Sequence, residues 1–481
     1  MRLVDLLPAI APIATRGALE GEVLSVSRDS RDIDENDLFV AIRGEHFDGR
    51  TAAPGLRCAG VIADGPVDTP PGVPALIVDN ARVAFARVAA ALQGHPARTL
   101  PTVGLTGTNG KTTTAWLLES VAQASDVKSL VMGTTGHRIA GRAVPATHTT
   151  PEAPTIQRLL RESIDAGCGA AFLEVSSIGI ELERVTALPF RVAAWTSFSR
   201  DHLDHHGSMS AYHAAKARLF SELLAADGIA VLNADDPAIH ILAPKQATLR
   251  YGRSPDAQVR LISSEMGLHG TTAQLRIFGQ AHTLDVPLLG THNVENALCA
   301  LTIGIALGWS ADACLAGLAA APPVPGRMEP VRVPNGPLVL VDYAHTPDAL
   351  ERVLGTLQEL DQNALVHVVF GCGGDRDRTK RAPMGTIASV GADRVTITSD
   401  NPRSEDPQAI VDEICQGAGP DALAIVDRAE AIDRTIAGAS PQDVVLIAGK
   451  GHERTQTIQG IAHPFDDRDV ALAALVRHFG A

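Results

Sequence analysis

Short apolar runs alternate with segments of helical spacing along most of the chain. Between residues 99 and 325, four apolar runs predict buried strands: TVGLT, AAFLEVSS, RVAAWTS and GIAVLN. Two segments whose apolar residues recur three and four positions apart predict helices: TTTAWLLESVAQAS and SAYHAAKARLFSELLA. Strands that alternate with helices are typical of an α/β fold, so we expect a mostly parallel sheet in this region.

The chain after residue 325 repeats this pattern. Glycine and polar residues follow the apolar runs in LVLVDYAH, VHVVFGCGG, DRVTITSDNPR and DVVLIAGKGHE. Ligands of parallel sheets bind beyond the carboxyl ends of the strands, so we expect these four tails to meet at one cleft of a Rossmann-like domain. Shorter runs before residue 99, in VLSVSRDSR, DLFVAI and PALIVDN, predict a small α/β domain.

Two segments rich in proline and glycine interrupt the chain, one beginning at Gly94 and one at Ala319. Such segments are typical of linkers or hinges. They predict three domains, which comprise residues 1–98, 99–325 and 326–481.

The composition is that of a globular protein, since 45% of the 481 residues are hydrophobic and 20% are charged. A formal net charge of −14 disfavours nonspecific binding to nucleic acid or to an anionic membrane surface. No apolar run reaches the roughly 18 to 20 residues that cross a bilayer, so we expect no membrane insertion. An aspartate and a proline interrupt the apolar N-terminal stretch, which we interpret as part of a folded domain rather than a signal peptide. Six cysteines without a CxxC pair favour reduced thiols and a cytoplasmic location.

The sharpest motif is a glycine-rich turn, Gly107 to Thr113 (GTNGKTT), between the strand TVGLT and a helix. Backbone N–H groups of such a turn, together with the helix N-terminus, bind phosphate oxygens. Lys111 adds a positive charge, and the Thr112 hydroxyl can ligate Mg²⁺. Leu105 stands where the longer phosphate-loop motif has its first glycine, so the match is to the shorter form GxxGK[ST].

Acidic and imidazole side chains follow two other strands of the central region. Glu174 ends the run AAFLE, where a carboxylate is costly to bury unless it is paired or bound to a metal. The segment SRDHLDHHG, residues 199–207, contains two acids and three histidines. Mg²⁺ prefers oxygen ligands, so Thr112, Glu174 and nucleotide phosphates predict a magnesium site. Taken alone, the histidine-rich loop is equally consistent with a polar surface, and composition alone favours a solvated helix lysine for Lys216.

These motifs occur in one order across most of the chain and closely resemble those of the Mur ligases of peptidoglycan synthesis. The resemblance runs from about Ser27 to about Arg468 and is carried by GTNGKTT, LEVSS, SRDHLDHHG, the Tyr212-to-Lys216 spacing, NADDP, GRME, DYAHTP, GCGGDRD, DNPR and GKGHE. It implies an ATP-dependent acid–amino-acid ligase that extends a UDP-linked muramoyl peptide. The peptide carboxylate would become an acyl phosphate, from which the amine of the incoming amino acid would displace phosphate.

The resemblance also implies which residues bind ATP and metal ions. Thr112 and Glu174 would hold one Mg²⁺, and His202 would be a ligand of a second. Lys216 is similar to the family lysine that reacts with CO₂ to give a carbamate (N6-carboxylysine), which would turn a cation into an anionic oxygen ligand for the metal. The implied catalytic residues are Lys111, Glu174, His202 and Lys216. The implied ATP-binding residues are Gly107, Thr108, Asn109, Gly110, Lys111, Thr112, Thr113, Asn293, Arg327, Asp342 and His345.

The acceptor implied by the resemblance is UDP-N-acetylmuramoyl-L-alanyl-D-glutamate, with its uridine diphosphate on the first domain. Its expected contacts are Arg28, Ser30, Glu45, His46, Phe47, His148, Thr149, Thr150, Ser176, Leu182 and Arg184. The family pattern often has glutamine at the position of Leu182, asparagine at that of His148 and histidine at that of Ile178. These departures concern the muramoyl contacts and not the implied metal or ATP residues.

The implied amino acid is meso-2,6-diaminopimelate, because Asp400-Asn401-Pro402-Arg403 resembles the recognition signature of the ligases that add it. Diaminopimelate carries a second carboxylate, for which Arg403 offers a planar guanidinium. A lysine substrate lacks that carboxylate and would leave a buried Arg403 without its partner. The expected contacts are Arg376 for the near carboxylate, Glu453 for the distal ammonium, and Asp400, Asn401, Pro402, Arg403 and Gly449.

Three alternatives stay open. The same ligation with L-lysine is one, and a ligase similar to folylpolyglutamate synthase, which shares the ATP domain, is another. The third is a noncatalytic nucleotide-binding module. The N-terminal region and the DNPR signature argue against the second, and the joint presence of His202, Lys216, DNPR and GKGHE argues against the third. We expect a cytoplasmic monomer without a nucleic-acid partner.

Overall fold

Three α/β domains follow one another along the chain, each built around its own sheet. Glu45 and His46, two predicted contacts of the uridine nucleotide, lie outside the described residues. Among the residues that are described, no helix is long and apolar enough to cross a membrane. The computed structural model describes residues 1–44, 47–146, 148–267, 270–360 and 364–480.

In its described part, the first domain contains two α-helices, α1 (Leu7–Ile10) and α2 (Ala81–Leu92). Its strands are β1 (Ala14–Arg16), β2 (Ser25–Ser27), β3 (Asp37–Ala41), β4 (Gly60–Ala63) and β5 (Ala75–Ile77). They form one sheet in the order β1-β5-β4-β3-β2. The Asn80 side chain caps α2 by accepting hydrogen bonds from the N–H groups of Arg82 and Val83. The predicted small α/β domain is confirmed, whereas β1 and β4 were not predicted.

The second domain has an 11-stranded sheet in the order β16-β15-β14-β13-β12-β11-β6-β10-β7-β8-β9. Its inner strands are parallel, and antiparallel strands extend both edges. The strands are β6 (Thr102–Thr106), β7 (Ser129–Gly133), β8 (Gly136–Ile139), β9 (Arg142–Val144), β10 (Ala170–Glu174), β11 (Phe190–Trp195), β12 (Leu224–Asn233), β13 (Ala247–Gly252), β14 (Val259–Gly267), β15 (Gly270–Ile277) and β16 (Gln280–Val286).

Helices cover both faces of this sheet. They are α3 (Lys111–Ala124), α4 (Ala153–Asp165), α5 (Ser177–Glu181), α6 (Leu203–His206), α7 (Met209–Arg218), α8 (Thr291–Ala306) and α9 (Ala311–Ala319). On β10, Phe172 packs into the core under α3 and α8, and its neighbour Leu173 packs into the core under α4. This alternation explains why the buried strand is a continuous apolar run. The predicted second helix is α7, which continues as a π-helical turn over Leu219–Leu223.

The third domain has a six-stranded sheet in the order β17-β18-β22-β19-β20-β21 and a separate hairpin, β23-β24. Its strands are β17 (Glu329–Val331), β18 (Leu338–Asp342), β19 (Val366–Phe370), β20 (Arg394–Ile397), β21 (Leu423–Ala424), β22 (Val444–Ala448), β23 (Thr455–Ile458) and β24 (Ile461–Pro464). Its helices are α10 (Pro347–Leu360), α11 (Arg381–Gly391), α12 (Pro407–Cys415), α13 (Arg428–Ala437) and α14 (Asp467–Phe479). Helices α10 to α12 pack on one face, and α13 and α14 pack on the other. The predicted Rossmann-like architecture is confirmed.

The segments that follow β18, β19, β20 and β22 meet at one edge of this sheet, as predicted. A Cβ on Gly371 would lie 2.9 Å from the backbone nitrogen of Asp400, and one on Gly449 would lie 2.6 Å from Oδ2 of Asp400. The ring of Tyr343, after β18, lies 5.2 Å from that of His452. Glycine is required at position 449 because its φ is +115°.

Candidate functional site

The glycine-rich turn between β6 and α3 is held by close backbone contacts. Gly107 has a φ of +149°, and a Cβ there would lie 2.0 Å from Oγ1 of Thr196. Gly110 has a φ of +89°, and a Cβ there would lie 2.3 Å from Oδ1 of Asn296. Both positions therefore require glycine. The resulting turn ends at the N-terminus of α3, where backbone N–H groups suit an anion.

Lys111, the first residue of α3, folds its side chain back over this turn. Its Nζ donates hydrogen bonds to the carbonyl oxygens of Gly107 and Thr108, each at 2.8 Å. Burial lowers the pKa of Lys111, and the nearby Glu174 carboxylate opposes that effect. The ammonium is thus held beside the turn that the sequence predicts to bind phosphate.

Glu174, at the end of β10, is a buried carboxylate with three hydrogen-bond donors. Its side chain accepts from the Thr112 hydroxyl at 2.9 Å, from the Thr134 hydroxyl at 3.0 Å and from the Thr134 N–H at 3.0 Å. Glycine at position 133 makes room for it, since a Cβ there would lie 2.0 Å from Oε1 of Glu174. Hydroxyl and carboxylate oxygens are the ligands that Mg²⁺ prefers, so this donor set fits a magnesium ion.

Lys216 reaches the same turn from α7, on the side facing the protein interior. It is 1% exposed, and its Nζ donates a hydrogen bond to the Gly107 carbonyl oxygen at 2.8 Å. Its ammonium also lies 4.5 Å from the ring centroid of Tyr212. Burial and the charge of Lys111 hold the pKa of Lys216 well below its usual value. A lowered pKa favours the neutral, nucleophilic amine form of a lysine.

His202 lies at the start of α6, with a φ of +52° that places it in the left-handed region. It lines the same cavity as Thr112 and Glu174, and its Nε2 lies 3.4 Å from Oδ2 of Asp201. The structure therefore brings three of the four predicted metal-binding residues to one cavity. The fourth, Lys216, is not among the residues that line this cavity and instead contacts the Gly107 carbonyl oxygen.

The cavity has a volume of about 250 Å³ and lies between the second and third domains. The predicted ATP-binding residues Asn293, Arg327, Asp342 and His345 all line it, together with residues 108–113. The guanidinium of Arg327 lies 4.8 Å from the Tyr343 ring centroid and donates to the Thr112 hydroxyl at 3.4 Å. Residues from three segments of the sequence thus converge on the glycine-rich turn.

Asp348, in α10, joins the third domain to this turn. Its carboxylate accepts hydrogen bonds from the Asn109 side-chain amide at 3.2 Å and from the Ser199 hydroxyl at 3.0 Å. Asp342 accepts from the N–H groups of Met328 and Ala344 at 2.7 Å each. Burial raises the pKa of Asp342, with the charge of Arg327 opposing it. The two domains are therefore in direct contact at the cavity.

The predicted acceptor contacts of the second domain form a chain of hydrogen bonds that ends at Glu174. Thr149 Oγ1 lies 3.0 Å from Thr134 Oγ1, and Thr150 donates to the Glu174 carbonyl oxygen at 2.8 Å. The Thr150 hydroxyl also lies 3.0 Å from that of Ser176, and Arg184 donates to the Thr150 carbonyl oxygen at 2.9 Å.

Glu152 connects this region to the first domain. Its carboxylate forms ion pairs with Arg184 at 2.7 Å and with Arg28 at 3.2 Å. Ser30, two residues after Arg28, is half-buried. Phe47, also in the first domain, is 58% exposed. His148 is exposed beside Thr149, and Leu182 caps the C-terminal end of α5.

The predicted amino-acid contacts form a second polar cluster at the carboxyl ends of β20 and β22. Asn401 donates to Glu453 Oε2 at 2.7 Å, and Lys450 donates to the same oxygen at 3.1 Å. Arg403 donates to the Gly374 carbonyl oxygen at 2.7 Å and has a φ of +52°. The exposed side chain of Arg376 lies near that of Arg403. A Cβ on Gly373 would lie 2.8 Å from a guanidinium nitrogen of Arg403 and 3.9 Å from Cγ of Arg376. Asp400, Pro402 and Gly449 lie in the loops of this cluster.

Comparison with known proteins identifies the family. The profile of the Mur ligase middle domain matches residues 105–304, and that of the Mur ligase, glutamate ligase domain matches residues 326–451. The UDP-N-acetylmuramoyl-L-alanyl-D-glutamate–2,6-diaminopimelate ligase of Geobacter metallireducens is 42% identical over 98% of each chain. The chain belongs to the Mur ligase family. A relative of the same name from Chlorobaculum tepidum is 41% identical over 97% of this chain and 96% of its own.

Solved structures agree with this assignment of the Mur ligase fold. A UDP-N-acetylmuramoyl-L-alanyl-D-glutamate–2,6-diaminopimelate ligase is 33% identical, with a TM-score of 0.72 and 99% of each chain covered. MurF from Thermotoga maritima in complex with ADP is 20% identical, with a TM-score of 0.65 over 95% of this chain and 96% of its own. Folylpolyglutamate synthase from Mycobacterium tuberculosis complexed with ADP is 21% identical, with a TM-score of 0.65 over 75% of this chain and 90% of its own.

Three polar residues of this Mur ligase site were not predicted from the sequence. Thr134 directs two donors at Glu174, Asp348 contacts the glycine-rich turn, and Lys450 holds Glu453. Thr134 directly follows the apolar strand β7. A polar residue at the end of an apolar strand is the same signal that indicated Glu174 at the end of β10. Lys450 belongs to the GKGHE motif. No sequence signal points to Asp348, which lies far from the turn along the chain.

Proposed function

We propose that this Mur ligase adds meso-diaminopimelate to UDP-N-acetylmuramoyl-L-alanyl-D-glutamate in an ATP-dependent reaction of peptidoglycan precursor synthesis. The observation that carries the proposal is the similarity to diaminopimelate ligases over 98% of the chain. The basic cluster at Arg376 and Arg403, beyond the ATP cavity, supports the choice of a substrate with two carboxylates.

ATP would lie in the cavity between the second and third domains, with its phosphates at residues 107–113. Lys111 would then exchange its contacts with the Gly107 and Thr108 carbonyl oxygens for contacts with phosphate oxygens. Asn293, Arg327, Asp342 and His345 would surround the remainder of the nucleotide. The buried Nε of Arg327 has no hydrogen-bond partner among the described residues, which supports an anionic ligand at this position.

Thr112 and Glu174 would hold Mg²⁺ together with the ATP phosphates, and His202 and a carbamate of Lys216 would serve a second Mg²⁺. When bound, magnesium offsets negative charge on the phosphoryl group that is transferred. The low pKa of Lys216 supports carbamate formation, because the neutral amine is the form that reacts with CO₂.

The reaction would proceed in two transfers. The terminal carboxylate of the acceptor, held near Thr150, Ser176 and Arg184, would attack the γ-phosphate of ATP, so that an acyl phosphate forms and ADP leaves. The neutral amine of diaminopimelate would then attack the acyl carbon, so that the amide bond forms as the bond from the acyl carbon to the phosphate oxygen breaks. Phosphate would leave with the bonding electrons and take up the proton that the amine nitrogen loses. Lys111 and Arg327 would stabilise the negative charge that develops on the phosphate oxygens.

Recognition of diaminopimelate would rest on the cluster in the third domain. Arg403 would bind the distal carboxylate, Arg376 the near carboxylate, and Glu453 the distal ammonium, with Asn401 and Lys450 fixing Glu453. We further propose domain boundaries after residues 98 and 325, a monomeric enzyme and action in the cytoplasm. The start of the 11-stranded sheet at Thr102 and of the six-stranded sheet at Glu329 supports these boundaries.

The test is phosphate release from ATP by the purified full-length protein with Mg²⁺. We expect release only when UDP-N-acetylmuramoyl-L-alanyl-D-glutamate and meso-diaminopimelate are both present, with a product whose mass is that of the tripeptide conjugate. Faster release with L-lysine would contradict the proposed amino acid. Release with a folate and glutamate, or nucleotide binding without turnover on any pair, would favour the other two alternatives and overturn the proposal.

A further inference from the structure

Three side chains outside the ATP cavity bring metal-binding atoms together on the surface of the second domain. Glu181 ends α5, and His205 and His206 lie in α6. Nε2 of His205 lies 2.9 Å from Oε2 of Glu181, and Nδ1 of His206 lies 3.3 Å from Oε1 of Glu181. One such atom from each residue lies within 4.8 Å of the other two.

These separations suit a tetrahedral metal ion. Zinc binds imidazole nitrogen at about 2.0–2.1 Å and carboxylate oxygen at about 2.0–2.2 Å, so tetrahedral ligand atoms lie about 3.3 Å apart. Nε2 of His205 already lies 2.9 Å from one oxygen of the Glu181 carboxylate, and Nδ1 of His206 lies 3.3 Å from the other. One ligand atom of each residue lies within 4.8 Å of the other two, so rotation of the exposed Glu181 and His205 side chains would close the remaining distances.

The environment of His206 is an independent indication of a ligand. Its side chain is completely buried, its Nε2 lies 2.9 Å from the Ser177 hydroxyl, and its Nδ1 faces Oε1 of Glu181 at 3.3 Å without the alignment of a hydrogen bond. If Nε2 donates its proton to Ser177, the lone pair of Nδ1 faces the Glu181 carboxylate. Two acceptors that face each other repel, and a cation between them would remove that repulsion.

We propose that Glu181, His205 and His206 form a binding site for a divalent transition metal of the zinc type. Two imidazole nitrogens and one carboxylate oxygen match the ligand preferences of Zn²⁺ and Co²⁺ and not those of Mg²⁺. Ser177 holds the second nitrogen of His206, as is usual for a ligating histidine. Glu181 and His205 are exposed, so the ion has access from solvent and water fills the fourth position. None of these residues is a predicted magnesium ligand.

The bound ion would join α6 to α5 and so steady the loop that carries His202. The His206 ring lies 5.1 Å from the Tyr212 ring, and the Tyr212 hydroxyl lies 3.3 Å from Oγ1 of Thr108 in the phosphate-binding turn. Because the ion binds the folded arrangement and not the unfolded chain, it raises the stability of the protein.

The test is equilibrium dialysis of the untagged full-length protein against Zn²⁺, and against Co²⁺ for its absorption spectrum, with millimolar Mg²⁺ present throughout. We expect one zinc-type ion per chain, a tetrahedral Co²⁺ spectrum and a higher melting temperature with Zn²⁺. Glu181→Gln and His205→Asn should each weaken binding about tenfold or more and abolish the thermal shift. Both residues are exposed, so these variants should fold.

His463→Asn, which removes an exposed histidine of β24, is the matched control and should bind as the unaltered protein does. Three results would overturn the proposal: no stoichiometric binding above the Mg²⁺ background, an octahedral Co²⁺ spectrum, or equal affinity in Glu181→Gln, His205→Asn and the control. The last of these would mean that scattered surface histidines bind the ion.

Discussion

Lys111 and Lys216 direct their ammonium nitrogens at the same oxygen, the backbone carbonyl of Gly107, each at 2.8 Å. They reach it from different helices, α3 and α7. Two like charges on one acceptor repel, and together with burial this repulsion lowers the pKa of Lys216. A carbamate on Lys216 would replace the repulsion with attraction. The repulsion between the two lysines therefore favours carbamate formation on Lys216, the more deeply buried of the two.

Lys216→Ala tests whether a carbamate on Lys216 is needed for the reaction. We expect the turnover to fall about a hundredfold or more, because the substitution removes the group that would carry the carbamate. Formate or acetate should restore part of the turnover, since the space left by the side chain admits a small carboxylate at the same place. The measurement is phosphate release with both substrates, at increasing concentrations of the added acid.

Lys245→Ala is the matched control, because Lys245 is an exposed lysine of the same domain. It should keep its turnover and gain nothing from added carboxylate. Full turnover of Lys216→Ala without any added acid would contradict the carbamate role.

Arg403→Ala tests the recognition of diaminopimelate. The KM for diaminopimelate should rise about tenfold to a hundredfold, because a charge-assisted hydrogen bond to a carboxylate contributes about 1.5–3 kcal/mol. The KM for ATP should change little, since Arg403 lies in the cluster with Gly373 and Gly374 rather than in the ATP cavity. Steady-state kinetics with each substrate varied in turn measures both values.

Arg394→Ala, at the exposed start of β20, provides the control for loss of an arginine in this domain. Its kinetic constants should match those of the unaltered protein. Equal losses for diaminopimelate and ATP in Arg403→Ala would mean that Arg403 supports the fold of the domain rather than the substrate.

Most of the inner strands could be predicted because a strand buried on both faces is a short apolar run. Polar residues at the carboxyl ends of the strands could be picked out as candidates because Glu174 ends such a run and Asp400 follows one closely. Strands β14 to β16 were not predicted, since one of their faces is exposed. In β15, buried Thr271 and Leu275 alternate with exposed polar residues, and this weaker pattern does not distinguish a sheet extension from a loop.

Contacts between domains could not be predicted. Asp348 and Asn109 are separated by 239 residues in the sequence, and neither side chain requires the other by its chemistry. The contact of Lys216 with the glycine-rich turn likewise depends on how α7 packs, and the sequence pattern carries no information about that packing. The family resemblance, and not the pattern, indicated which helix lysine to consider.

Gly133→Ala tests the position of the Glu174 carboxylate. The new methyl group would lie 2.0 Å from Oε1 of Glu174, so the carboxylate must move away from the Thr112 hydroxyl. We expect the Mg²⁺ concentration for half-maximal turnover to rise about tenfold, by analogy with other disturbances of groups that orient a ligand. Gly355→Ala, whose Cβ would meet no atom within 4 Å, is the control and should leave the Mg²⁺ dependence unchanged. An unchanged dependence in Gly133→Ala would contradict the magnesium role of Glu174.

The thiols give a prediction that depends on pH. Burial raises the pKa of Cys299, Cys314 and Cys372 to about 12, so at pH 8 only about one in ten thousand of each is the reactive thiolate. Cys415 is the partly exposed cysteine, and it should react first with a disulfide reagent. Cys299, Cys314 and Cys372 should react only after unfolding. Raising the pH from 8 to 9 should speed the reaction of Cys415 in the native protein, because more of its thiol is then thiolate. Cys415→Ser should remove the fast phase. A fast phase of the same amplitude in that variant would show that a buried thiol becomes accessible through local opening of the fold.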